Sequence, residues 1–252
     1  APISSSTSFT RKNVFCEKPM ARNPEEATQI VEAARENGVS LKVGSNLRYF
    51  PNVLKARELL DSSAIGHTLY LRGWIGTPGV HLSKSWFSDI ELSGGGVFLD
   101  MGCHLLDISR WFLGEVKECI GYTSTIYWPV SPMEDKGMGI FEFTNGNSAF
   151  IHCSWTEWVD YMYMEIYGTD GYIYIDSINP ACQTIWGKRD GSRMEYDFSR
   201  QPPQSYITEF DEYVKAIHEG HQPLPSGYDG LRAVQMAYGV YESSHLGAKV
   251  TI

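Results

Sequence analysis

The 252-residue sequence predicts an α+β protein: a large, mostly antiparallel sheet flanked by helices and preceded by a short parallel α/β segment. From about Gly114 to Asp197, apolar and polar residues alternate at period two, which is typical of half-buried strands. The pairs Asn145-Gly146 and Asp170-Gly171 fall between such runs and predict tight hairpin turns. Helices are predicted over about residues 205–219 and 229–246. Hairpins repeated in this way build an antiparallel sheet with one face free for solvent or for a second subunit.

The amino-terminal segment predicts a strand–helix–strand unit. Val14-Phe15 is a short apolar strand, and Asn23-Pro24-Glu25-Glu26 begins a helix with an asparagine cap, a proline and two acids in the first turn. The helix should end at Asn37-Gly38, and a strand follows over residues 39–43. This pattern is typical of the last part of a parallel α/β domain. We therefore expect strand edges without partners, and such edges tend to pair with another chain.

Composition excludes several classes of protein. The formal net charge of −9 argues against a nucleic-acid or anionic-membrane partner, because either needs a basic surface. No apolar run reaches the ~18 residues of a membrane span, and no signal-peptide pattern is present at the first residues. The cysteines are odd in number and lack paired spacing, which predicts neither a disulfide framework nor a zinc site and fits the reducing cytoplasm: Cys16, Cys103, Cys119, Cys153 and Cys182. No metal site is predicted.

The strongest chemical signal is a glycine run followed by spaced polar residues. Gly94-Gly95-Gly96 leads into a predicted helix in which Asp100, His104 and Asp107 would share one face. Glycines there would let a substrate or cofactor approach the backbone, and a carboxylate one turn from an imidazole can tune it for acid/base work. The alternative, a buried helix with a capping aspartate and a core histidine, stays open on this segment alone. Cys103 should project to a different face.

A second signal lies at the end of the first strand. Glu17-Lys18-Pro19 follows the apolar strand, and the proline keeps Lys18 out of a helical conformation. Strand ends of this kind are where α/β proteins place ligands. Taken by itself, the lysine could equally be a surface residue in a turn.

Together these motifs resemble the glucose–fructose oxidoreductase/inositol dehydrogenase (Gfo/Idh/MocA-type) family of NAD(P)-dependent sugar and polyol oxidoreductases. The resemblance runs from about Asn13 to Ile252 and includes Asn46-Leu47-Arg48-Tyr49-Phe50-Pro51 and the closing Gly227-Tyr228-Asp229-Gly230-Leu231-Arg232-Ala233. It implies hydride transfer at a CH–OH carbon and an NAD or NADP cofactor. The implied substrate is a small sugar or polyol.

The resemblance implies roles for individual residues. His104 would exchange the hydroxyl proton, Lys18 would stabilise the developing alkoxide, and Asp100 would bind a substrate hydroxyl and tune both. Glu17, Lys18 and Pro19 would contact the cofactor.

Three further residues complete the predicted substrate-binding set with Asp100 and His104. Arg48 and Tyr49 would line the cleft, although a solvent-facing salt bridge for Arg48 is an open alternative, and Trp86 would cover a sugar ring unless it packs in the core.

One departure from the family pattern affects the functional prediction. The sequence contains no Gly-x-Gly-x-x-Gly turn, so we expect a chain lacking most of the dinucleotide-binding domain: a Rossmann-type remnant over residues 1–45 and a substrate-binding and oligomerisation domain over residues 46–252. Such a chain is expected to bind NAD(P) poorly alone and to be inactive alone. The alternatives are a non-catalytic ligand-binding or assembly protein, or a lyase or isomerase that uses the acid/base pair.

The resemblance also implies an oligomer. The family's sheet commonly forms the subunit interface, so we expect a homodimer or homotetramer packed through the flat sheet face between about Ile120 and Tyr196.

Overall fold

The computed structural model describes residues 11–80, 82, 86–178, 181–201 and 204–252. Within these residues a two-stranded parallel sheet adjoins a nine-stranded, mostly antiparallel sheet, which confirms the predicted fold class. The strands are β1 (Val14–Glu17), β2 (Leu41–Gly44), β3 (Thr68–Gly76), β4 (Val116–Ser124), β5 (Lys136–Phe143), β6 (Ser148–Ser154), β7 (Tyr161–Gly168), β8 (Gly171–Asp176), β9 (Gln183–Lys188), β10 (Arg193–Asp197) and β11 (Val250–Thr251). The helices are α1 (Pro24–Asn37), α2 (Pro51–Asp61), α3 (Ile90–Ser93), α4 (Val97–Asp100), α5 (Gly102–Leu113), α6 (Ser205–Glu219) and α7 (Gly227–Leu246), with short 3-10 turns at Asn46–Tyr49 and Trp86–Ser88.

The small sheet holds the amino-terminal unit together. β1 and β2 pair in parallel, and α1 between them begins at the predicted cap, where Asn23 Oδ1 accepts the Glu26 N–H at 2.8 Å. Gly38 ends the helix with φ +61°, a conformation that glycine adopts without strain. The expectation of open strand edges is wrong for β2. Its two edges are covered by β1 and by the segment before α7, where the Val43 N–H donates to Pro225 O at 2.9 Å.

The large sheet has the order β10-β9-β8-β7-β3-β6-β5-β4-β11, and β3–β6 is a parallel pair in an otherwise antiparallel array. Helices α2, α5 and α7 cover one face, and the core lies between them and the sheet. The other face, here called the open face, carries a band of half-buried or exposed aromatic and aliphatic side chains: Trp74, Ile120, Ile140, Phe150, Tyr163 and Tyr174.

The predicted single helix after the glycine run is divided at Met101 into α4 and α5. The His104 N–H bonds to Met101 O at 3.2 Å, an i to i−3 bond that tightens the turn. The chain nevertheless keeps its helical course, because the Met101 N–H still bonds to Val97 O at 2.8 Å.

Candidate active site

The ends of β1 and α4 bring Lys18 and Asp100 together across 82 residues of sequence. Lys18 Nζ donates to the Asp100 backbone oxygen at 3.0 Å and to its carboxylate Oδ1 at 3.1 Å. The Asp100 side chain is 9% exposed and that of Lys18 23%, so the pair is held in the protein yet remains reachable from solvent. The structure therefore joins two of the three predicted catalytic residues directly.

His104 follows Asp100 by one turn and is buried. Burial, and then the positive charge of Lys18, lower the pKa of His104 well below its usual value. The imidazole is therefore neutral at neutral pH and has a lone pair available. Neither Asp100 nor Asp107 hydrogen-bonds to it, and its Nδ1 has no hydrogen-bond partner among the described residues. The carboxylate that the sequence predicted to tune this imidazole is not hydrogen-bonded to it; burial, and then the charge of Lys18, lower its pKa instead.

Cys103 lies closer to this chemistry than its helical position predicted. Its Sγ donates to Asp100 O at 3.1 Å, and with Lys18 it lines a cavity of about 20 Å³, room for one water molecule. The expectation that it points away from the site is wrong, because Cys103 follows Asp100 by three residues, and residues three apart are neighbours on one helical face. Ser45 and Asp107 supply further polar atoms to the cavity.

The charges around Lys18 favour its protonated form. Burial lowers the pKa of Lys18, but the neighbouring Cys103 sulfur, Asp100 and Glu17 raise it by more, so the net pKa lies above the usual value. Burial raises the pKa of the Cys103 thiol to about 12, so Cys103 carries no charge at neutral pH. The anions that hold Lys18 as a cation at that pH are therefore Asp100 and Glu17.

The glycine run does not open the backbone to a ligand. A Cβ on Gly94 would lie 2.2 Å from Arg22 O, one on Gly95 2.5 Å from the Tyr241 hydroxyl, and one on Gly96 2.0 Å from Glu134 O. The expectation that a substrate or cofactor approaches here is wrong. Glycine is required because other parts of the protein already occupy these positions.

Asp107 is joined to Arg48 instead of to His104. Arg48 Nε and Nη2 donate to the two carboxylate oxygens of Asp107 at 2.7 and 2.6 Å, and Ser45 Oγ donates to the same carboxylate at 2.8 Å. Arg48 Nη2 also lies 3.5 Å from Asp229 Oδ1. The alternative of a solvent-facing salt bridge is wrong, because Arg48 is 5% exposed.

The remaining predicted site residues occupy different surroundings. The Tyr49 hydroxyl lies 2.5 Å from Leu224 O and 3.1 Å from Glu212 Oε2, beside the buried Lys42. Trp86 is half exposed and stacks on Phe87 with ring centroids 4.1 Å apart. Pro19 lines the small cavity, and the Glu17 carboxylate accepts the Lys18 N–H at 3.3 Å.

Sequence reasoning missed three residues that shape the site, of which Glu134 and Glu209 are buried and Tyr241 is partly buried. Glu134 and Tyr241 bind the backbone at the start of α4, and Glu209 Oε1 accepts the Ser45 N–H at 2.8 Å. Burial raises the pKa of Glu209 to about 7, against the opposing charge of Lys42, and its Oε2 has no partner among the described residues. Glu134 gave a weak signal, since two acids, Glu134-Asp135, precede an apolar strand; Tyr241 and Glu209 lie in ordinary helical patterns.

Two absences hold for the described ranges. Among these residues no group of three or more His, Cys, Asp or Glu side chains is arranged to hold a metal ion. In the same ranges, no helix combines the length and the apolar character that crossing a bilayer requires.

Comparison with known proteins relates two parts of this chain to one family. A profile described as GFO/IDH/MocA C-terminal domain matches residues 53–174, and one described as an oxidoreductase family with an NAD-binding Rossmann fold matches residues 8–45. The chain belongs to the GFO/IDH/MocA family of oxidoreductases, whose members bind NAD.

Several curated relatives match along almost the whole chain. Myo-inositol 2-dehydrogenase of Thermotoga maritima is 27% identical over 92% of this chain and 70% of its own length. The scyllo-inositol 2-dehydrogenase (NAD(+)) of Bacillus subtilis is 25% identical over 96% of this chain and 71% of its own. Levoglucosan dehydrogenase of Pseudarthrobacter phenanthrenivorans is 25% identical over 97% of this chain and 75% of its own length.

Solved structures share the fold. Levoglucosan dehydrogenase in complex with NADH and levoglucosan superposes with a TM-score of 0.88 at 23% identity, over 98% of this chain and 75% of that one. The aldose-aldose oxidoreductase from Caulobacter crescentus gives a TM-score of 0.84 at 22% identity, over 98% and 74%. Both support the same arrangement of the large sheet and its helices.

Proposed function

We propose that this chain carries the substrate end of an NAD(P)-dependent dehydrogenase active site acting on a CH–OH group of a sugar or polyol. The observation that carries the proposal is the juxtaposition of a protonated Lys18, paired with Asp100, and a neutral, buried His104 one helical turn away. Relatives named inositol and levoglucosan dehydrogenases support the substrate class.

The residues present fit the nicotinamide end of such a cofactor. Lys18 and Asp100 meet where the carboxyl end of β1 reaches α4, and the buried Nδ1 of His104 lacks a partner among the described residues. Ligands of parallel α/β sheets bind at the carboxyl ends of the strands. The sequence holds no Gly-x-Gly-x-x-Gly turn, so these residues provide no glycine cradle for a pyrophosphate. Glu17, Lys18 and Pro19 are our candidates for cofactor contact.

Each polar residue has a defined task in this proposal. When bound, the cofactor accepts or returns the hydride. His104 takes the hydroxyl proton on an imidazole nitrogen, and Nε2 is the candidate because Nδ1 is enclosed. Lys18 donates to the substrate oxygen as negative charge develops on it, an interaction that gains strength where water is excluded. Asp100 keeps Lys18 in place and accepts from a neighbouring substrate hydroxyl.

The other predicted substrate residues divide into two groups. Trp86, half exposed, remains our candidate for covering one face of a sugar ring. Arg48 and Tyr49 are engaged with Asp107 and with Leu224 O, so we assign them the task of holding the cleft wall. We place the boundary between the cofactor-binding remnant and the substrate domain near residue 45, where the β2 strand gives way to the turn that carries Arg48.

The test is turnover with a matched histidine pair. The chain is incubated with a panel of inositols, pentoses and levoglucosan and with NAD+ or NADP+ at high concentration, to offset the weak cofactor binding expected of this chain, and formation of reduced nicotinamide is followed. His104→Gln should lose about 10²–10⁴-fold in kcat, the usual contribution of a general base. His152→Gln should keep its activity, because His152 has a similarly unpartnered Nδ1 but lies in β6 on the open face. Equal loss in both variants would contradict the assignment.

One observation favours a second candidate, a non-catalytic ligand-binding protein. Among the residues of this sequence, no glycine turn offers the backbone amides that normally hold a pyrophosphate. We expect this chain by itself to bind NAD(P)H weakly in calorimetry. Tight, stoichiometric binding would remove the reason for this alternative, whereas sugar binding without NAD(P)H binding would favour it.

We also propose that the chain forms a homodimer or homotetramer through the open face. Ile120 and Ile140 are directly paired in the sheet and are 42% and 52% exposed, and Tyr122 is 55% exposed. Contiguous exposed apolar surface of this kind is typical of an interface. The five free cysteines fit a reducing compartment, and we propose the cytoplasm.

A further inference from the structure

Two distant residues, Glu134 and Tyr241, bind the first turn of helix α4. The first four N–H groups of an α-helix have no partner within the helix. Here the cap is Gly96, which has no side chain to offer. All four donors are nevertheless bound: Gly96 N to Glu134 Oε2 at 3.0 Å, Val97 N to Glu134 O at 3.1 Å, Phe98 N to Glu134 Oε1 at 2.9 Å and Leu99 N to the Tyr241 hydroxyl at 3.0 Å.

Tyr241 connects this arrangement to α7. Its hydroxyl accepts a hydrogen bond from the Leu99 N–H and donates one to Glu134 Oε1 at 2.8 Å, so it is both acceptor and donor. Burial, followed by the charge of Glu134, raises the pKa of Tyr241 well above its usual value, which keeps the donated proton in place. No other side chain among the described residues bonds to the Leu99 N–H.

The next residue after Leu99 is Asp100, the partner of Lys18. The Asp100 N–H bonds to Gly96 O at 3.0 Å, so its position depends on the same capped turn. Asp100 supplies both of the oxygens to which Lys18 Nζ donates, its backbone oxygen and its carboxylate Oδ1. A shift of α4 therefore moves both acceptors of Lys18 at once.

A second tyrosine on α7 secures the Lys18 side of the contact. The Tyr238 hydroxyl lies 2.6 Å from Arg22 O and 2.9 Å from Gly94 O, between the loop after Lys18 and the glycine run. The rings of Tyr238 and Tyr241 meet edge to face with centroids 5.4 Å apart. Helix α7 thus touches both segments whose meeting makes the Lys18–Asp100 pair.

We propose that Tyr241, through Leu99 and Glu134, is a positioning residue that sets Asp100 against Lys18. It does not reach the pair itself and acts only by fixing the first turn of α4. The proposal deepens the proposed function and rests on it for catalytic meaning, but the positional effect on Lys18 exists without cofactor or substrate.

The test measures Lys18 without requiring turnover. The chain is exposed to limiting acetic anhydride over a range of pH, and acylation of Lys18 is followed by peptide mass spectrometry. In Tyr241→Phe the Asp100 carboxylate moves away from the Lys18 ammonium, so the pKa of Lys18 falls. More of the Lys18 amine is then unprotonated, and Lys18 should be acylated at least about threefold faster at mildly alkaline pH. Asp100→Asn, which removes the charge directly, should show the same change or a larger one.

Ser243→Ala is the matched control. Ser243 also lies on α7, is fully buried and uses its hydroxyl twice, accepting the Gly121 N–H at 2.9 Å and donating to Ala248 O at 2.6 Å, but it binds β4 and not α4. It should lose comparable stability with Lys18 acylation unchanged. If Tyr241→Phe does not fold, Glu134→Gln, which weakens the same cap, replaces it.

The outcomes separate this proposal from the proposed function. Lys18 acylation that is identical in folded Tyr241→Phe and in the wild-type chain overturns the proposal, whatever the activity. Faster acylation in a chain that oxidises no polyol leaves the positioning in place and contradicts the function. Where turnover is observed, Tyr241→Phe should lower kcat and raise KM, because it displaces the carboxylate that accepts from a substrate hydroxyl, whereas Ser243→Ala should alter neither.

Discussion

The guanidinium of Arg48 holds the carboxylate of Asp107 by two hydrogen bonds, 2.7 Å from Nε to Oδ2 and 2.6 Å from Nη2 to Oδ1. Both residues are almost completely buried, and they tie the turn after β2 to α5. Removing one member of such a pair leaves the other charge buried without compensation, which costs more than the intact pair contributes. The contact between the turn after β2 and α5 therefore depends on both residues.

Arg48→Ala should lower the free energy of unfolding by about 3–5 kcal/mol, the usual cost of breaking a buried ion pair. Urea unfolding followed by tryptophan fluorescence measures this change. Arg193→Ala is the control, because the Arg193–Glu195 pair at 3.2 Å is exposed to solvent and should contribute at most about 1 kcal/mol. Equal losses in the two variants would contradict a special role for the buried pair.

His104 should make the protein less stable as the pH falls. Burial and the charge of Lys18 lower the pKa of His104 below the usual 6.5. Below pH 6.5 this histidine therefore binds a proton in the unfolded chain but stays neutral in the folded chain. The free energy of unfolding then falls by up to ~1.4 kcal/mol per pH unit for this one group. His104→Gln should flatten the stability curve below about pH 6.5, measured by urea unfolding at each pH. His245→Gln, at the exposed end of α7, is the matched substitution. If it flattened the stability curve as much as His104→Gln, the prediction would be contradicted.

Glu209 has the opposite pH dependence. Burial raises its pKa to about 7 in the folded protein, above the ordinary value of 4.5, so its contribution to stability is largest at acidic pH and is lost as the pH rises through 7. Glu209→Gln should raise the free energy of unfolding by about 2 kcal/mol near pH 8 and change it by less than ~0.5 kcal/mol near pH 5. Thermal unfolding at the two pH values distinguishes this from a uniform effect. Glu219→Gln, at the exposed end of the same helix, should show no such contrast.

The open face should control self-association. Ile140 lies on this face, opposite Ile120 on one neighbouring strand and Phe150 on the other. Ile140→Arg places a charge where two apolar faces would meet, and the sedimentation coefficient should fall to that of a monomer. Leu246→Arg, which alters an equally exposed leucine at the end of α7, should leave the oligomer intact. A wild-type chain that is already monomeric at micromolar concentration would contradict the proposed interface.

The periodic features of the fold could be predicted from local pattern. The strand alternation, the turns at Asn145-Gly146 and Asp170-Gly171 and the capped start of α1 at Asn23 all depend on neighbours within a few residues. The prediction from the glycine run is wrong for the same reason. Its three glycines look like an open backbone in the sequence, and only Arg22, Glu134 and Tyr241, which pack there from elsewhere, show why a side chain is excluded.

What the sequence by itself determined is the set of elements, the fold class and the identity of Lys18, Asp100 and His104 as chemically notable residues. Hydrophobic periodicity, capping and turn preferences are local, so they can be read along the chain. Only the tertiary structure decided that Lys18 pairs with Asp100, that Arg48 forms an ion pair with Asp107 and that Tyr241 completes the cap of α4. Those relationships join residues between 59 and 142 positions apart, and the folding of the two sheets against α5 and α7 is what brings them within hydrogen-bonding distance.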